Sequence, residues 1–327
     1  MRTVRLTFSS VSVALPVMTK RHFLGSKERN GWNNMSSDIT SLLQDAKLTR
    51  IASQIEQLPL PSIRLKSRRV QEASLPLGVS KIGGLPDLPP DPLWPIWHDT
   101  PLAFIAQINF AEIQAMYGVQ DLPEAGICYF FYDADHGPIG YDPHLRGGWR
   151  VFYYGGIPMY LRRVPAPTAL REKKLTWLPE EQHYQACALT FSTEMTLPPC
   201  DSSPIDALRL SAQERASYQD VLEKMEKRAS GPLHRLLGHP DALQGDMQTE
   251  CQLVSHGLYF GNGWPDEKER VEQLLKGAQD WQLLLQLDTD PEAEMLWGIE
   301  GRCYYWIQTQ ALQARNFENV WFIMQWT

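Results

Sequence analysis

Three short motifs occur twice in this sequence, in the same order, and this recurrence constrains the fold more than any other feature. The first set is SKIGGLPD, FIAQIN and GICYFF, and the second set is RLLGHPD, LLLQLD and GRCYYW. The matched positions are Lys81 with Arg235, Gly84 with Gly238, Pro86 with Pro240, Asp87 with Asp241, Gln107 with Gln286 and Cys128 with Cys303. Recurrence in fixed order indicates a repeated structural unit. We therefore predict an internal duplication, with two similar β-rich halves at about 62–165 and 232–327, related by a pseudo-two-fold axis and joined by a strand and helix connector.

The hydrophobic pattern predicts an α+β fold dominated by strands, with a few peripheral helices. Short runs rich in β-branched and aromatic residues predict strands, at 63–70, 102–110, 126–132, 149–154, 159–164, 187–192, 254–260, 281–287, 303–307 and 320–326. Apolar residues at three- and four-residue spacing predict a helix over 36–58, and a capping box of Ser211 and Glu214 predicts a second helix that ends near Ala229. Two shorter helices are predicted at 266–277 and 309–315.

The segment 236–253, LLGHPDALQGDMQTECQL, joins one of the repeated turns to a dense set of carboxylates and amides. As an extended strand it places Asp246, Gln248 and Glu250 on one polar face. As a helix it places Asp246 and Glu250 one turn apart, where like charges repel. The first copy has no counterpart of this insertion, and insertions on a repeated frame are common places for function.

The first 34 residues differ in charge from the rest of the chain. They contain six basic residues and one acid, a net +5, so the remainder of a chain with net charge −7 carries −7 − 5 = −12. We expect residues 1–34 to be a disordered extension, or the product of an upstream start with Met35 as the working one; a targeting segment is the alternative. Residues 35–327 are then a single domain.

The composition of the chain restricts the kinds of partner it can bind and the cellular compartment we expect for it. An acidic balance without a clustered basic patch argues against nucleic-acid binding. No run of 18 apolar residues occurs, which argues against a membrane span. The five cysteines form an odd set without a CxxC pair, and this is typical of a reduced cytoplasmic protein without a disulfide framework.

Several uncommon sequence motifs occur in the same order as the motifs of a known family. The strings SKIGGLPDLP, PLAFIAQINF, GICYFFYDAD, QGDMQTECQLVS, DWQLLLQLD and GRCYYWI resemble the YwqG-like family, also called domain of unknown function 1963. The resemblance runs from about the first predicted helix to the C-terminus and leaves residues 1–34 outside. It implies a mainly bacterial, soluble, strand-rich α+β fold with internal pseudo-symmetry. It implies no biochemical activity and supplies no catalytic residues.

Two functions fit the candidate site residues. The favoured one is a non-catalytic binding module with a groove between its halves, which recognises a protein or a small polar ligand. Its candidate binding residues are Gln107, Arg235, Asp246, Gln248, Glu250 and Gln286. The alternative is a hydrolase-like enzyme that uses Asp246 and Glu250 as an acid/base pair, which needs separated pKa values.

Metal and cofactor sites are not predicted. His234, His239 and His256 lie near the two carboxylates in sequence, but their spacing matches no metal motif. The chain has no Walker or GxGxxG sequence. Gly83 and Gly84, which precede Leu-Pro, are predicted to form a turn rather than a phosphate-binding loop, so no nucleotide or other cofactor is expected.

Overall fold

The computed structural model describes residues 38–120, 122–169, 178 and 183–327. The predicted extension at 1–34 lies outside the described residues. The strands, in chain order, are β1 (Leu60–Arg69), β2 (Lys81–Ile82), β3 (Asp87–Leu88), β4 (Ile96–Trp97), β5 (Thr100–Pro101), β6 (Ala103–Asn109), β7 (Ile127–Tyr132), β8 (Trp149–Tyr154), β9 (Arg162–Arg163), β10 (Cys187–Thr196), β11 (His234–Leu236), β12 (Trp281–Asp288), β13 (Arg302–Gln308) and β14 (Trp321–Gln325). The α-helices are α1 (38–45), α2 (Ala52–Ile55), α3 (Phe110–Tyr117), α4 (Ser203–Asp206), α5 (Ala212–Arg228), α6 (Met247–Ser255), α7 (Lys268–Leu274) and α8 (Thr309–Gln313).

One ten-stranded antiparallel sheet dominates the fold. Its strand order is β14-β13-β12-β11-β1-β10-β2-β6-β7-β8. The two longest strands, β1 and β10, pair at its centre from Leu60 opposite Thr196 to Arg69 opposite Cys187. Side chains alternate across a strand, so Ile63 and Leu65 face the core while Arg64 faces the opposite side. The predicted strand-dominated α+β class is confirmed.

The sheet has the same order of strands on each side of its central pair. On one side β2, β6, β7 and β8 follow outward from β10, and on the other β11, β12, β13 and β14 follow outward from β1. The β6–β7 pairing shifts register between Phe104 and Ala106, and the β12–β13 pairing shifts between Leu283 and Leu285. These bulges fall at matched positions of the FIAQIN and LLLQLD motifs.

Aromatic side chains fill the space between the two arms of the sheet. Phe130 meets Tyr305 edge-on at 5.0 Å, and Trp149 meets Trp321 edge-on at 5.0 Å between ring centroids. The Trp149 Nε1–H also donates to the carbonyl of Val320 at 3.0 Å. At these positions the halves are in direct contact, so the groove expected between them is not located here.

Four of the eight helices of the described residues, α1, α2, α4 and α5, contribute to a separate apolar cluster beside the central strands. Buried residues of α1, α2 and α5 form a second apolar cluster with residues next to β10, and the capping box of Ser211 and Glu214 begins α5 as predicted. The predicted helix 36–58 is wrong in extent, because a left-handed residue, Lys47 with φ 58°, ends α1 before α2 begins. No helix in the described part of the chain is long and apolar enough to span a membrane.

Two of the predicted strands are wrong. The segment 254–260 continues α6 to Ser255 and then turns, because the polar insertion forms a capped helix rather than a strand. The segment 159–164 is a 3-10 turn, Pro158–Tyr160, followed by the two-residue strand β9. Proline at the first position of that turn favours the helical conformation over an extended one.

Candidate functional site

Asp246 is the N-cap of α6, and its side chain is engaged by the first turn of that helix. Oδ1 accepts a hydrogen bond from the Gln248 backbone N–H at 3.1 Å, and Oδ2 accepts from the Thr249 hydroxyl at 2.7 Å. The Ser203 hydroxyl, on α4, donates to Oδ2 at 3.4 Å. Capping satisfies N–H groups that a helix leaves unpaired. The helical interpretation of this segment is therefore correct, and the extended one is wrong.

Glu250 lies one turn after Asp246 and is only 8% exposed. Its Oε2 is fully buried, and the side chain makes no hydrogen bond or ion pair with any described residue. Burial, with a smaller contribution from the charge of Asp246, raises the pKa of Glu250 to about 8. Burial also raises the pKa of Asp246. Glu250 is thus largely neutral at pH 7, which is the usual response of an unpaired carboxyl to a low dielectric.

Tyr141 connects the two sides of α6 through hydrogen bonds to the segments before and after this helix. Its hydroxyl donates to Gln244 Oε1 at 3.4 Å, and its carbonyl accepts from the backbone N–H of Phe260 at 2.9 Å. Burial and the charge of Glu250 raise the pKa of Tyr141. Gln325 of β14 lies in the same region, since its Oε1 accepts from the backbone N–H groups of Leu243 and Gln244 at 2.9 and 3.1 Å. The loop before α6 is therefore held by Tyr141 and Gln325.

Gln248 has a structural contact on another side of α6. Its Nε2 donates to the carbonyl of Trp281, and Gln252 one turn later accepts from the Trp281 indole at 2.8 Å. These bonds attach α6 to the start of β12. The structure thus places Gln248 on the same helix as Asp246 and Glu250 but in contact with the sheet.

Gln286 and Arg235 meet at the repeated Gly/Pro turn. Gln286 Nε2 donates to Leu233 O at 2.6 Å and Asp241 Oδ2 at 2.7 Å, while its Oε1 accepts from the Asp241 N–H at 2.9 Å. Arg235 Nη2 pairs with Asp241 Oδ2 at 2.6 Å, and its Nη1 donates to the carbonyl of His239 at 2.9 Å. Gln286 is 0% exposed and Arg235 4% exposed, so both hold the turn in place.

Gln107 makes the equivalent contacts in the other half. Its Nε2 donates to Val79 O at 2.7 Å and Asp87 Oδ2 at 2.9 Å, and its Oε1 accepts from the Asp87 N–H at 2.8 Å. Lys81 lies 3.6 Å from Asp87, as Arg235 pairs with Asp241. Tyr129 donates to the Asp87 carbonyl at 2.6 Å, and Tyr304 donates to the Asp241 carbonyl at the same distance. The six predicted site residues thus belong to three places, one on α6 and one at each turn.

A basic strip that we did not predict runs along the outer face of β1. Arg64, Lys66 and Arg68 alternate there and so point to the same side of the sheet. Lys66 and Arg68 are exposed and make no hydrogen bond or ion pair with the described residues. We refer to these three side chains as the basic strip. The signal was present as three basic residues at every second position of a predicted strand.

Arg64 and Arg235 lie next to each other at one end of the basic strip. They are opposite residues of β1 and β11, and one carboxylate serves both, since Glu194 lies 3.1 Å from Arg64 Nε and 3.2 Å from Arg235 Nε. The Arg64 Nη1 is buried without a partner. Burial lowers the pKa of Arg64, with a smaller contribution from the Arg235 charge.

The three histidines of the region do not converge on the carboxylates. His234 pairs with the buried Asp290 at 3.0 Å. His239 Nε2 contacts the Leu58 carbonyl at 2.9 Å, and His256 Nδ1 contacts the Gln252 carbonyl at 2.6 Å. Within the described residues, no group of three or more His, Cys, Asp or Glu side chains is arranged to hold a metal ion.

A family model described as Domain of unknown function (DUF1963) matches residues 80–326. The chain belongs to this family. The DUF1963 match starts at β2 rather than at the first helix, so the basic strip precedes it, whereas Arg235, Asp246 and Glu250 lie inside it. A search of curated proteins found no match.

Proposed function

We propose that this DUF1963 protein is a non-catalytic binding module that recognises an acidic segment of a partner protein on the basic strip of β1. The observation that carries the proposal is the pair Lys66 and Arg68, both exposed and unpaired, in line with an Arg64 whose Nη1 is buried without a partner. A buried guanidinium donor without an acceptor is costly. Carboxylates that approach the strip would pair with the exposed Lys66 and Arg68, while Arg64 stays paired with Glu194.

The surroundings of the basic strip favour binding over chemistry. The residues opposite it on β10 are Ser192, Thr190 and Ala188, which are small and leave the strip open. Arginine forms two parallel bonds with a carboxylate, and that geometry gives specificity. No general base or thiolate adjoins the strip within the described residues, since the Glu194 carboxylate is already shared by Arg64 and Arg235.

Charge supports an acidic protein rather than a nucleic acid as the partner. The chain has a net charge of −7, so the exposed Lys66 and Arg68 form a local exception in an acidic protein. Nucleic-acid sites need many phosphate contacts and an extended basic surface. A short acidic peptide needs only a few pairs, and complementary charge gives it orientation and a fast approach.

The position of the basic strip follows from a duplicated frame, which we also propose. Matched strand order, matched bulges and the matched bonds of Gln107 and Gln286 support an origin from two copies. The strip then lies at the junction of the copies, on the side of the sheet opposite the aromatic core. Five free cysteines support a cytoplasmic setting for the module.

A peptide titration tests the basic strip. The chain is titrated with a fluorescent Glu-rich peptide and a matched Gln-rich peptide, followed by anisotropy at low and high salt. We expect only the Glu-rich peptide to bind, and Lys66→Gln with Arg68→Gln to weaken it roughly 2- to 30-fold, the sum of two exposed ion pairs.

The control for that titration is Lys224→Gln with Arg228→Gln on the exposed side of α5, which removes the same charge elsewhere. Equal weakening by both double variants would mean a general charge effect and contradict the proposal. Preferential binding of a single-stranded oligonucleotide would contradict it as well.

The hydrolase-like alternative has one observation in its favour, the pKa of Glu250 at about 8, which would suit a proton donor near neutral pH. However, burial raises the pKa values of both carboxyls rather than separating them in opposite directions, and Asp246 is committed to the helix cap. Turnover that disappears in a folded Glu250→Gln variant would favour the enzyme over the binding module.

A further inference from the structure

We propose that Glu250, together with Asp246, forms a second binding site, separate from the basic strip, which takes a primary ammonium group. The ligand is either a free amine or the side chain of a lysine. This inference does not depend on the proposed acidic partner, because it concerns α6 and its neighbours rather than β1.

The first observation is an unused acceptor. Glu250 is 8% exposed, its Oε2 is buried, and no described residue donates a hydrogen bond to it. Buried polar atoms in native proteins are paired with few exceptions, and an exception indicates an absent donor. A group with N–H donors would satisfy this oxygen.

The second observation is the missing countercharge. Glu250 interacts electrostatically with Asp246, Tyr141 and Cys251, and all three are acids. The adjoining strand β14, which reads WFIMQ, has no ionisable side chain, and β12, which reads WQLLLQLD, has one only at its far end. The 3-10 segment Leu275–Asp280 and α7 also pack against α6, but none of their charged side chains forms an ion pair with Asp246 or Glu250. Neither carboxyl therefore has a basic partner among the described residues. A cation would replace the proton that Glu250 otherwise keeps.

An ammonium group fits these donors and acceptors better than a metal ion. Asp246 already accepts from Gln248, Thr249 and Ser203, so it contributes charge, and Glu250 supplies the direct contact. Divalent Ca²⁺ and Mg²⁺ need six or more oxygen ligands, and no cluster of three metal-ligating side chains is present in the described residues. A –NH₃⁺ group has three donors and needs only a few oxygen acceptors.

Proton and ammonium compete for Glu250. At pH 6 the Glu250 carboxyl is protonated and neutral, so it does not attract an ammonium group. As the pH rises through about 8, Glu250 ionises while an alkylamine with a pKa of about 10 stays charged. Binding should therefore strengthen from pH 6 to pH 9, and a bound amine should lower the pKa of Glu250.

The test follows Glu250 itself in the full chain. The carboxyl carbon is titrated by ¹³C NMR after selective labelling of glutamate, with Glu250→Gln to assign the signal. The ligands are n-butylammonium chloride and Nα-acetyl-lysine amide, and potassium chloride at equal ionic strength is the control. At a tenfold excess over the dissociation constant, we expect an ammonium ligand to lower the pKa of Glu250 by about one unit, the shift that mass action gives.

The outcomes separate the ligand sources. A shift that is larger with the lysine derivative supports a protein side chain, and one that is larger with butylammonium supports a free amine. No shift with either ligand, or the same shift with potassium chloride, overturns the proposal. Glu223→Gln, which removes an exposed carboxyl of α5, should leave the Glu250 response unchanged.

Discussion

At the scale of single residues, Glu250 couples stability to pH. Its pKa is about 8 in the folded chain against an ordinary 4.5, so the folded state holds a proton that the unfolded state releases. Stability therefore falls as pH rises from about 4.5 to about 8 and is insensitive to this group above that range. We expect Glu250→Gln to gain roughly 2–5 kcal/mol of unfolding free energy relative to the unmodified chain between pH 5 and pH 8.5.

Urea unfolding at those two pH values measures this gain. The comparison is a difference between pH values, so any constant cost of burying an unpaired amide at this position cancels. Glu223→Gln is the control, since its carboxylate is half exposed on α5. Parallel stability curves for Glu250→Gln and the unmodified chain would show that Glu250 does not titrate between the two pH values.

The sequence identified Asp246 and Glu250 but not their environment. Alternating polar and apolar residues fit a strand, yet Asp246 caps a helix and Met247, Cys251 and Val254 bury one face of it. Burial of Glu250 depends on the packing of α6 against elements such as β12 and β14, which lie more than twenty residues away in the chain. No local pattern contains that packing, so the raised pKa could not be predicted.

At the scale of elements, the repeated turns depend on one buried glutamine each. Gln107 and Gln286 each use their side chain to bind a carbonyl, a carboxylate and an N–H of the turn. Replacing either by alanine leaves these groups buried without a partner. We expect Gln107→Ala and Gln286→Ala each to cost about 3 kcal/mol, since several unpaired groups are created, and to cost about the same if the halves are copies.

Gln282 on the same strand as Gln286 is a matched control. It is 6% exposed, and both polar atoms of its side chain are buried without a partner. Gln282→Met therefore removes no bond and should be neutral or stabilising. Chemical denaturation measures all three variants. Similar losses for Gln282→Met and Gln286→Ala would mean that packing, not the turn contacts, sets the cost.

Most strands were predictable because β-branched and aromatic runs between turns have few alternatives. The failures have local causes: Lys47 in a left-handed conformation divides the first helix, and Asp246 begins a helix where 254–260 was expected to be a strand. Gln107 and Gln286 were predicted as binding residues, and that prediction is untested. Their recurrence indicated importance, but only the bonds to Asp87 and Asp241 show that they support turns.

At the scale of the whole molecule, the aromatic core joins both arms of the sheet. Phe130 and Tyr305, and likewise Tyr132 and Phe322, are in ring contact although they come from opposite arms. The sequence does not show that β1 and β10 pair at the centre of the sheet with one arm on each side. Pairing between strands more than a hundred residues apart leaves no local sequence pattern. Neither half can bury its rings alone, so we expect one cooperative unfolding transition.

A substitution at Gly140, where the two arms of the sheet are in contact, tests whether the arms unfold cooperatively. Its carbonyl accepts from the Trp321 indole at 2.9 Å, its φ is +90°, and an added Cβ would come within 1.9 Å of the Phe322 carbonyl oxygen. Gly140→Ala must therefore push β14 away from the segment it contacts. The control is Gly263→Ala, where φ is +102° and nothing lies within 4 Å, so it has only the conformational cost of about 1 kcal/mol.

We expect Gly140→Ala to lose at least about 3 kcal/mol and still to unfold in a single transition, followed by far-UV and near-UV circular dichroism together. The near-UV signal reports the interlocked rings, and the far-UV signal reports the sheet. If the near-UV signal is lost first, the ring contacts break while the sheet persists, and the shared core is not part of one cooperative transition. Coincident transitions at lower denaturant mean that closure of the arms and formation of the sheet are one event.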